Sequence, residues 1–285
     1  MNNRITFGVS TWLWQSPFTS ESVSLFPKIK KMGFDVVEIP VEIPSEIDGK
    51  LVKKALDDNG LSATVCGAFG PTKDLTANDV TLHENCFSYV KECFELCNHL
   101  ETDFLAGPMY SAVGKARMVS EEQRKVEWNR AVTNLYKVCE MAKQQNLSIA
   151  LEPLNRFESD LINTTKDVMK LITDINQPNA KVLLDGFHMT IEEQNIRKAI
   201  QLVGDKLIHV QVSENHRGIP GTGLTPWADF KKGLEDINYK GAMVIESFTP
   251  EIKELAEAVC IWKTLADSQN QFASEGIQFL KKTFA

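Results

Sequence analysis

The most constraining feature of this chain is a regular alternation of short apolar or β-branched runs with longer amphipathic segments. Eight runs have the length and composition of β-strands, near 5–11, 36–40, 62–69, 103–109, 148–154, 181–187, 207–213 and 242–248. Eight segments with helical periodicity follow them, near 21–32, 45–59, 79–99, 120–146, 164–175, 194–203, 226–237 and 250–267. This pattern, eight strands each followed by a helix, predicts an α/β fold of the (β/α)8 TIM barrel type. The chain is slightly longer than the roughly 250 residues typical of that architecture.

Residues at the segment boundaries agree with this architecture. Gly33 and Gly60 follow predicted helices, where a left-handed cap is needed, and Thr164 stands where an N-cap belongs. No change in composition and no Pro- or Ser-rich linker divides the chain, so we expect residues 1–285 to form a single barrel domain. The segment 273–284 is expected to form an extra C-terminal helix that covers the barrel or a neighbouring subunit.

Composition narrows the range of functions. The chain has 285 residues, 43% of them hydrophobic, a net charge of -7 and no long run of Lys and Arg, which argues against a nucleic-acid partner. The chain start resembles no secretory signal, and no apolar run approaches the roughly 20 residues of a membrane span, so we expect a cytoplasmic protein that binds no membrane. The six cysteines are predicted to be reduced, mostly as buried core thiols, because disulfide frameworks are typical of small secreted chains.

Four consecutive predicted strands end in an oxygen-bearing side chain. They are the fifth to eighth strands, and the residues are Glu152, Asp185, Gln211 and Glu246. In a barrel of parallel strands the active site lies at the carboxyl ends of the strands, so these four side chains are expected at one mouth of the barrel.

The physical case for a metal at this mouth rests on electrostatics. Three carboxylates that face one another in a poorly solvated barrel mouth repel unless they are protonated or bridged by a cation. Carboxylate and amide oxygens suit hard divalent ions, which favours Mn²⁺, with Mg²⁺ or Co²⁺ as alternatives. The competing interpretation is that these acids only cap helices or pair with Lys and Arg, and four of them in register argue against it.

The seventh strand offers two candidates, His209 and Gln211, whose side chains point to the same face because strand residues alternate. His is the commonest metal-binding side chain, whereas Gln supplies a neutral oxygen. The residues alone leave both interpretations open.

Four motifs together resemble one known group of enzymes. They are ALEPLNRFE at 150–158, VLLDGFHM at 182–189, the 211–217 segment running into GIPGTG, and MVIESF at 243–248. In order and spacing they resemble the xylose-isomerase-like sugar isomerase and epimerase superfamily, most closely its D-tagatose (D-psicose) 3-epimerase and L-ribulose 3-epimerase group. The resemblance spans nearly the whole chain and is densest from 149 to 248.

The resemblance implies roles for the strand-end residues. Glu152 and Glu246 match two glutamates that bind the metal and exchange the substrate proton, and Asp185 matches a pure metal ligand. Gln211 matches a position where the epimerases have a histidine ligand, so this chain departs from their pattern. Gln in place of His keeps the ligand neutral and shifts the preference further toward hard ions. Hydroxypyruvate isomerases of the same superfamily look similar in placing Gln there.

The resemblance also implies contacts with a sugar substrate. Glu158, His188 and Arg217 match residues that hold the ketose carbonyl and its neighbouring hydroxyls, and Cys66 matches a position near the substrate. The resemblance further implies a homo-dimer or homo-tetramer.

These observations predict a divalent-metal-dependent enzyme that epimerises C3 of a free ketose. One glutamate would take the C3 proton to form a cis-enediolate, and the other would return a proton on the opposite face. The alternatives are a hydroxypyruvate-type or inosose-type isomerase of the same superfamily, and a sugar-binding barrel without activity. The apurinic endonucleases that share the fold are disfavoured, because they need a His-rich zinc cluster and this chain has five histidines.

Overall fold

The computed structural model describes residues 4–284, whose eight strands all run parallel and close into a barrel. The strands are β1 (Thr6–Ser10), β2 (Val36–Val41), β3 (Ser62–Gly67), β4 (Phe104–Gly107), β5 (Ser148–Leu151), β6 (Ala180–Asp185), β7 (Leu207–Val212) and β8 (Ala242–Ile245). Each strand pairs with the next one along the chain, and β8 pairs with β1. The predicted (β/α)8 barrel is confirmed.

The helices that surround the barrel largely follow the predicted segments. They are α1 (Phe26–Met32), α2 (Gly49–Asn59), α3 (Val80–Leu100), α4 (Glu121–Gln144), α5 (Thr165–Ile175), α6 (Gly186–Glu192), α7 (Ile196–Val203), α8 (Trp227–Asp236), α9 (Lys253–Ala258) and α10 (Gln269–Phe284). Gly33 and Gly60 end α1 and α2 in the left-handed conformation, with φ of 96° and 59°. The Thr164 side chain accepts the N–H of Asp167 and caps α5 as predicted.

The prediction of a helix over 250–267 was wrong. Only α9 is helical there, and apolar residues of the segment, including Leu255 and Ile261, pack with Phe248 and Trp12 in a small cluster of their own. The eighth outer position belongs instead to α10, which begins at Gln269 rather than at 273 and packs against β1, β8, α1 and α8. The C-terminal helix therefore completes the outer layer of the barrel.

The predicted strand over 181–187 also needs a correction, because β6 ends at Asp185 and α6 follows at once. The Asp185 Oδ1 accepts the backbone N–H of Phe187 at 2.9 Å, so the side chain caps α6. One consequence is that His188, three residues further on, lies on the first turn of a helix that starts at the barrel mouth.

The strand register brings the predicted strand-end residues to one mouth. Asp185 of β6 pairs with Gln211 of β7, and Glu152 and Glu246 directly follow β5 and β8. The cysteines are all free, and each is buried except Cys260. No helix within residues 4–284 is long and apolar enough to cross a membrane.

Candidate active site

A cavity of about 560 Å³ opens at the carboxyl ends of the strands. Polar side chains at the strand ends and on the segments that follow them line one part of it: Glu152, Glu246, His188, Arg217, Glu158 and Cys66. Most of the remaining wall is apolar and includes Phe248 together with Leu255 and Val259 of the segment around α9. A cavity of about 650 Å³ at the opposite end of the barrel, around Arg4 and Asp35, includes none of the predicted site residues.

The structure brings the four predicted strand-end residues together. Glu152 and Glu246 are each 5% exposed, and Asp185 and Gln211 are fully buried or nearly so. The Gln211 Nε2 donates to Glu246 Oε1 at 3.0 Å. Ligand atoms of Glu152 and Asp185 lie within 4.8 Å of one another and of a nitrogen of His188, close enough to share one cation.

Arg217 joins two of these carboxylates. Its Nη1 donates to Asp185 Oδ2 at 2.7 Å and to Glu246 Oε2 at 3.0 Å, and its guanidinium lies 3.9 Å from the ring centroid of Phe187. Its backbone is left-handed, with φ of 61°, which is uncommon for a residue other than glycine. This local strain indicates that the loop after β7 is held in a shape that turns the guanidinium into the cavity.

Glu214 holds that loop in place. Its carboxylate accepts the backbone N–H groups of Gly221 at 2.8 Å and Thr225 at 2.7 Å and the indole N–H of Trp227 at 3.0 Å. These bonds tie both ends of the 214–227 segment to one buried acid, so the position of Arg217 is fixed by its own loop rather than by its ion pairs alone.

His188 and Glu158 meet at Asn155, in the loop after β5. The backbone N–H of Asn155 lies 3.1 Å from His188 Nδ1, and its side-chain Nδ2 lies 2.8 Å from the same nitrogen. The same Nδ2 donates to Glu158 Oε1 at 2.8 Å. The sequence predicted His188 and Glu158 but missed Asn155, whose only signal was its place in the ALEPLNRFE motif.

Glu38 of β2 was not predicted as a site residue, and it is fully buried inside the barrel. Its Oε1 accepts the Gln211 Nε2–H at 2.8 Å, and its Oε2 lies 2.6 Å from His209 Nε2. His209 therefore pairs with Glu38, with its ring 5.3 Å from that of Phe104, and does not reach the strand-end acids. The available signal was a lone acid within the otherwise apolar strand VVEIPV.

Burial and mutual repulsion shape the charges at the site. Burial, together with the charges of Glu246 and Asp185, raises the pKa of Glu152 well above its usual range. Burial raises the pKa of Glu246 to about 8 despite the opposing effect of Arg217, and burial also raises the pKa of Asp185. One guanidinium does not neutralise these three carboxyls, so the site favours further positive charge, as protons or as a cation.

The donor atoms fit a divalent cation. The three acids supply hard oxygens, and the Gln211 Oε1 is a buried oxygen without a hydrogen-bond partner among the described residues. A buried unpaired amide oxygen costs free energy unless something binds it, and a cation beside the strand-end acids would.

Cys66 and Trp12 line the cavity as well. Burial, and to a lesser extent the charge of Glu38, raises the pKa of the Cys66 thiol well above its usual range, so the thiol stays neutral. Its Sγ lies 3.8 Å from Gln211 Nε2. The neighbouring Trp14 is not among the lining residues, and its indole N–H donates to Asn270 at 3.0 Å.

The chain is similar to one family model, to curated relatives and to solved structures. Residues 26–283 match the family model described as xylose isomerase-like TIM barrel. The chain is 31% identical to a probable ketose 3-epimerase of Synechocystis sp. over 99% of this chain and 97% of that protein. It is 27% identical to an L-ribulose 3-epimerase of Methylomonas sp., over 99% and 98% of the two chains. The crystal structure of a D-allulose 3-epimerase from Methylomonas sp. in complex with D-allulose superposes with a TM-score of 0.91 at 28% identity, over 99% of this chain and 98% of that one.

Proposed function

This chain belongs to the xylose isomerase-like TIM barrel family, and on that basis we propose that it is a ketose 3-epimerase that inverts C3 of a free ketose with the help of a divalent cation. The observation that carries the proposal is the pair of acids Glu152 and Glu246, which directly follow separate strands and line the same cavity. The relatives named as ketose and L-ribulose 3-epimerases support it.

The proposed cation ligands are Glu152, Asp185, Gln211 and Glu246, and their hard oxygens favour Mn²⁺ over softer ions. A bound cation would polarise the ketose carbonyl and make the adjacent C–H bond more acidic. The unpaired Oε1 of Gln211 supports its place in the set, since its Nε2 already donates to Glu38 and Glu246.

The two glutamates are proposed to exchange the C3 proton. An acid and a base are needed together, and a pair of buried acids that interact loses its protons in two steps rather than one. One glutamate, as the carboxylate, accepts the substrate proton, and the other, as the protonated acid, returns a proton to the opposite face. Proton return on the opposite face inverts C3.

The charges of the residues that line the cavity favour an unphosphorylated substrate. Arg217 is the one cationic side chain among its described lining residues, and it already pairs with Asp185 and Glu246. A phosphate dianion would meet acids without a free cation to neutralise it. The neutral hydroxyls of a ketose instead find donors and acceptors in His188, Arg217 and Glu158.

The proposal is tested by solvent exchange. The purified protein with added Mn²⁺ is incubated in D₂O with a panel of ketohexoses and ketopentoses, and deuterium at C3 is followed by NMR. We expect exchange at C3 of at least one ketose, with formation of its C3 epimer, and exchange at least about 100-fold slower with Glu152→Gln or Glu246→Gln. Absence of exchange across the panel would contradict the proposal, and activity only on hydroxypyruvate or an inosose in parallel assays would select the isomerase alternative.

A further inference from the structure

The imidazole of His188 is held by a donor that cannot reverse its role. The backbone N–H of Asn155 points at His188 Nδ1 at 3.1 Å, and a backbone amide nitrogen only donates. The Nδ1 must therefore present its lone pair and carries no proton. A neutral imidazole in that state carries its single proton on Nε2.

The Asn155 side chain agrees with this assignment. Its Oδ1 accepts the backbone N–H of Phe157 at 2.9 Å, and its Nδ2 donates to the Glu158 carboxylate at 2.8 Å. A donor faces the oxygen and an acceptor faces the nitrogen, so the amide has one satisfactory orientation. In that orientation the NH₂ group also faces His188 Nδ1, at 2.8 Å, and supplies a second donor to the same nitrogen.

The other ring nitrogen faces the cavity. His188 Nε2 lies 3.5 Å from Glu152 Oε1 and 3.7 Å from Asp185 Oδ2, so distance alone would allow His188 to share a cation with these acids. A ring nitrogen that carries its proton has no lone pair with which to bind a metal. The Arg217 Nη2, which is a donor, also lies 3.5 Å from Nε2, but the two donors at Nδ1 lie closer, at 3.1 and 2.8 Å, so the hydrogen bonds of Asn155 decide which ring nitrogen carries the proton.

We propose that Asn155 is a positioning residue that holds His188 as the Nε2–H tautomer, so that His188 donates a hydrogen bond to a substrate oxygen and does not bind the cation. This inference rests on the proposed function for the identity of the substrate, but the tautomer and the cation ligands do not depend on it. The same amide also fixes Glu158, so a single buried side chain orients two of the proposed substrate contacts.

The tautomer is measured directly by NMR of protein with ¹⁵N-labelled histidine. The chain has five histidines, and the signals of His188 are those that disappear in His188→Phe. We expect a bare Nδ1 and a protonated Nε2 for His188 in the substrate-free protein. A protonated Nδ1 with a bare Nε2 would overturn the proposal.

Cation binding supplies a second readout. His188→Phe should bind Mn²⁺ within about threefold of the wild-type affinity by calorimetry, whereas Gln211→Leu should bind at least about tenfold more weakly. A tenfold loss in His188→Phe would make His188 a ligand and overturn the proposal. Neither measurement uses turnover, so failure of the proposed epimerase activity would leave both results interpretable.

The role of Asn155 is tested with graded variants. Asn155→Asp keeps the backbone donor to Nδ1 but replaces the closer side-chain donor by a carboxylate, so the Nε2–H fraction of His188 should fall and kcat should drop about tenfold or more, with Mn²⁺ affinity unchanged. Asn155→Ala keeps the backbone donor and should retain the Nε2–H tautomer with a smaller loss. Asn163→Ala is the matched control, because the Asn163 side chain bonds Leu154 O and Ser159 O in the same loop without touching His188. A tautomer unchanged in Asn155→Asp, or changed equally in Asn163→Ala, would refute a positioning role.

Discussion

Replacement of Gln211 by Leu is the sharpest test of the proposed cation site. The amide is fully buried and its NH₂ group donates to Glu38 at 2.8 Å and to Glu246 at 3.0 Å. Gln211→Leu keeps a similar volume but removes both donors and the Oε1. The variant therefore removes both roles of the amide, and two measurements separate them: stability without a cation reports the structural role, and Mn²⁺ affinity reports the role as a ligand.

The expected magnitudes follow from these contacts. Each buried hydrogen bond to a carboxyl oxygen contributes about 1–3 kcal/mol, so the cation-free variant should lose about 2–6 kcal/mol of unfolding free energy. At about 2 °C per kcal/mol for a chain of this size, its Tm should fall by about 4–12 °C. Loss of one ligand should weaken Mn²⁺ binding at least about tenfold, which corresponds to about 1.4 kcal/mol.

Calorimetric Mn²⁺ titration and thermal melts in chelator provide the assay. Gln123→Leu is the matched control, because its Nε2 also donates to a buried carboxylate, Glu127 at 3.0 Å, outside the cavity. It should lower the Tm without changing Mn²⁺ affinity. Gln211→His should bind a cation again, with a preference shifted from Mn²⁺ toward Co²⁺ or Zn²⁺. Wild-type Mn²⁺ affinity in Gln211→Leu would refute Gln211 as a ligand.

Three further outcomes are expected. Glu152→Gln and Glu246→Gln should each lower kcat about 10²–10⁴-fold, and a variant that retains wild-type exchange at C3 would remove that residue from proton transfer. In chelator the carboxyl group of Glu246 stays protonated up to about pH 8 in the folded protein, because its pKa is raised to about 8, whereas in the unfolded chain it loses its proton near the ordinary pKa of 4.5. The free energy of unfolding should therefore fall as pH rises between these two values, by about 1.4 kcal/mol per pH unit for this group. Mn²⁺ should reverse that slope, and a cation-free Tm that rises from pH 5 to 8 would contradict the charge assignment. Glu38→Leu should weaken Mn²⁺ binding about tenfold, because it removes the acceptor that aligns Gln211, and unchanged affinity would show that Glu38 only packs.

The sequence predicted the parts of the fold that local pattern determines. Strand and helix alternation is local, so all eight strands and seven of the eight predicted helical segments could be identified, and parallel strands bring their carboxyl ends to one mouth wherever they pair. That is why Glu152, Asp185 and Glu246 could be grouped before any contact was known. The error at 250–267 has a physical reason: the segment has apolar residues at helical spacing, and periodicity does not distinguish a helix against the barrel wall from a segment over its mouth.

Glu38 and Asn155 could not be assigned because their roles depend on contacts across the barrel. Glu38 lies on β2, and its partner Gln211 lies on β7, strands that are not neighbours in the closed sheet. Nothing in either strand alone indicates the other. Asn155 meets His188 from a different loop, so the tautomer that it imposes follows only from the position of its backbone N–H.

These contacts explain why an amide suits position 211. Its side chain lies between two carboxyls, Glu38 and Glu246, and both accept from its NH₂ group. An imidazole that gives one nitrogen to a cation keeps a single N–H, so it could satisfy only one of those acids. A glutamine satisfies both and still has an oxygen to offer. The exchange of nitrogen for oxygen at this strand end is therefore coupled to the acid on β2. Glu38→Leu should reduce Mn²⁺ affinity less in Gln211→His than in the wild-type chain, because the single N–H of the imidazole can still donate to Glu246.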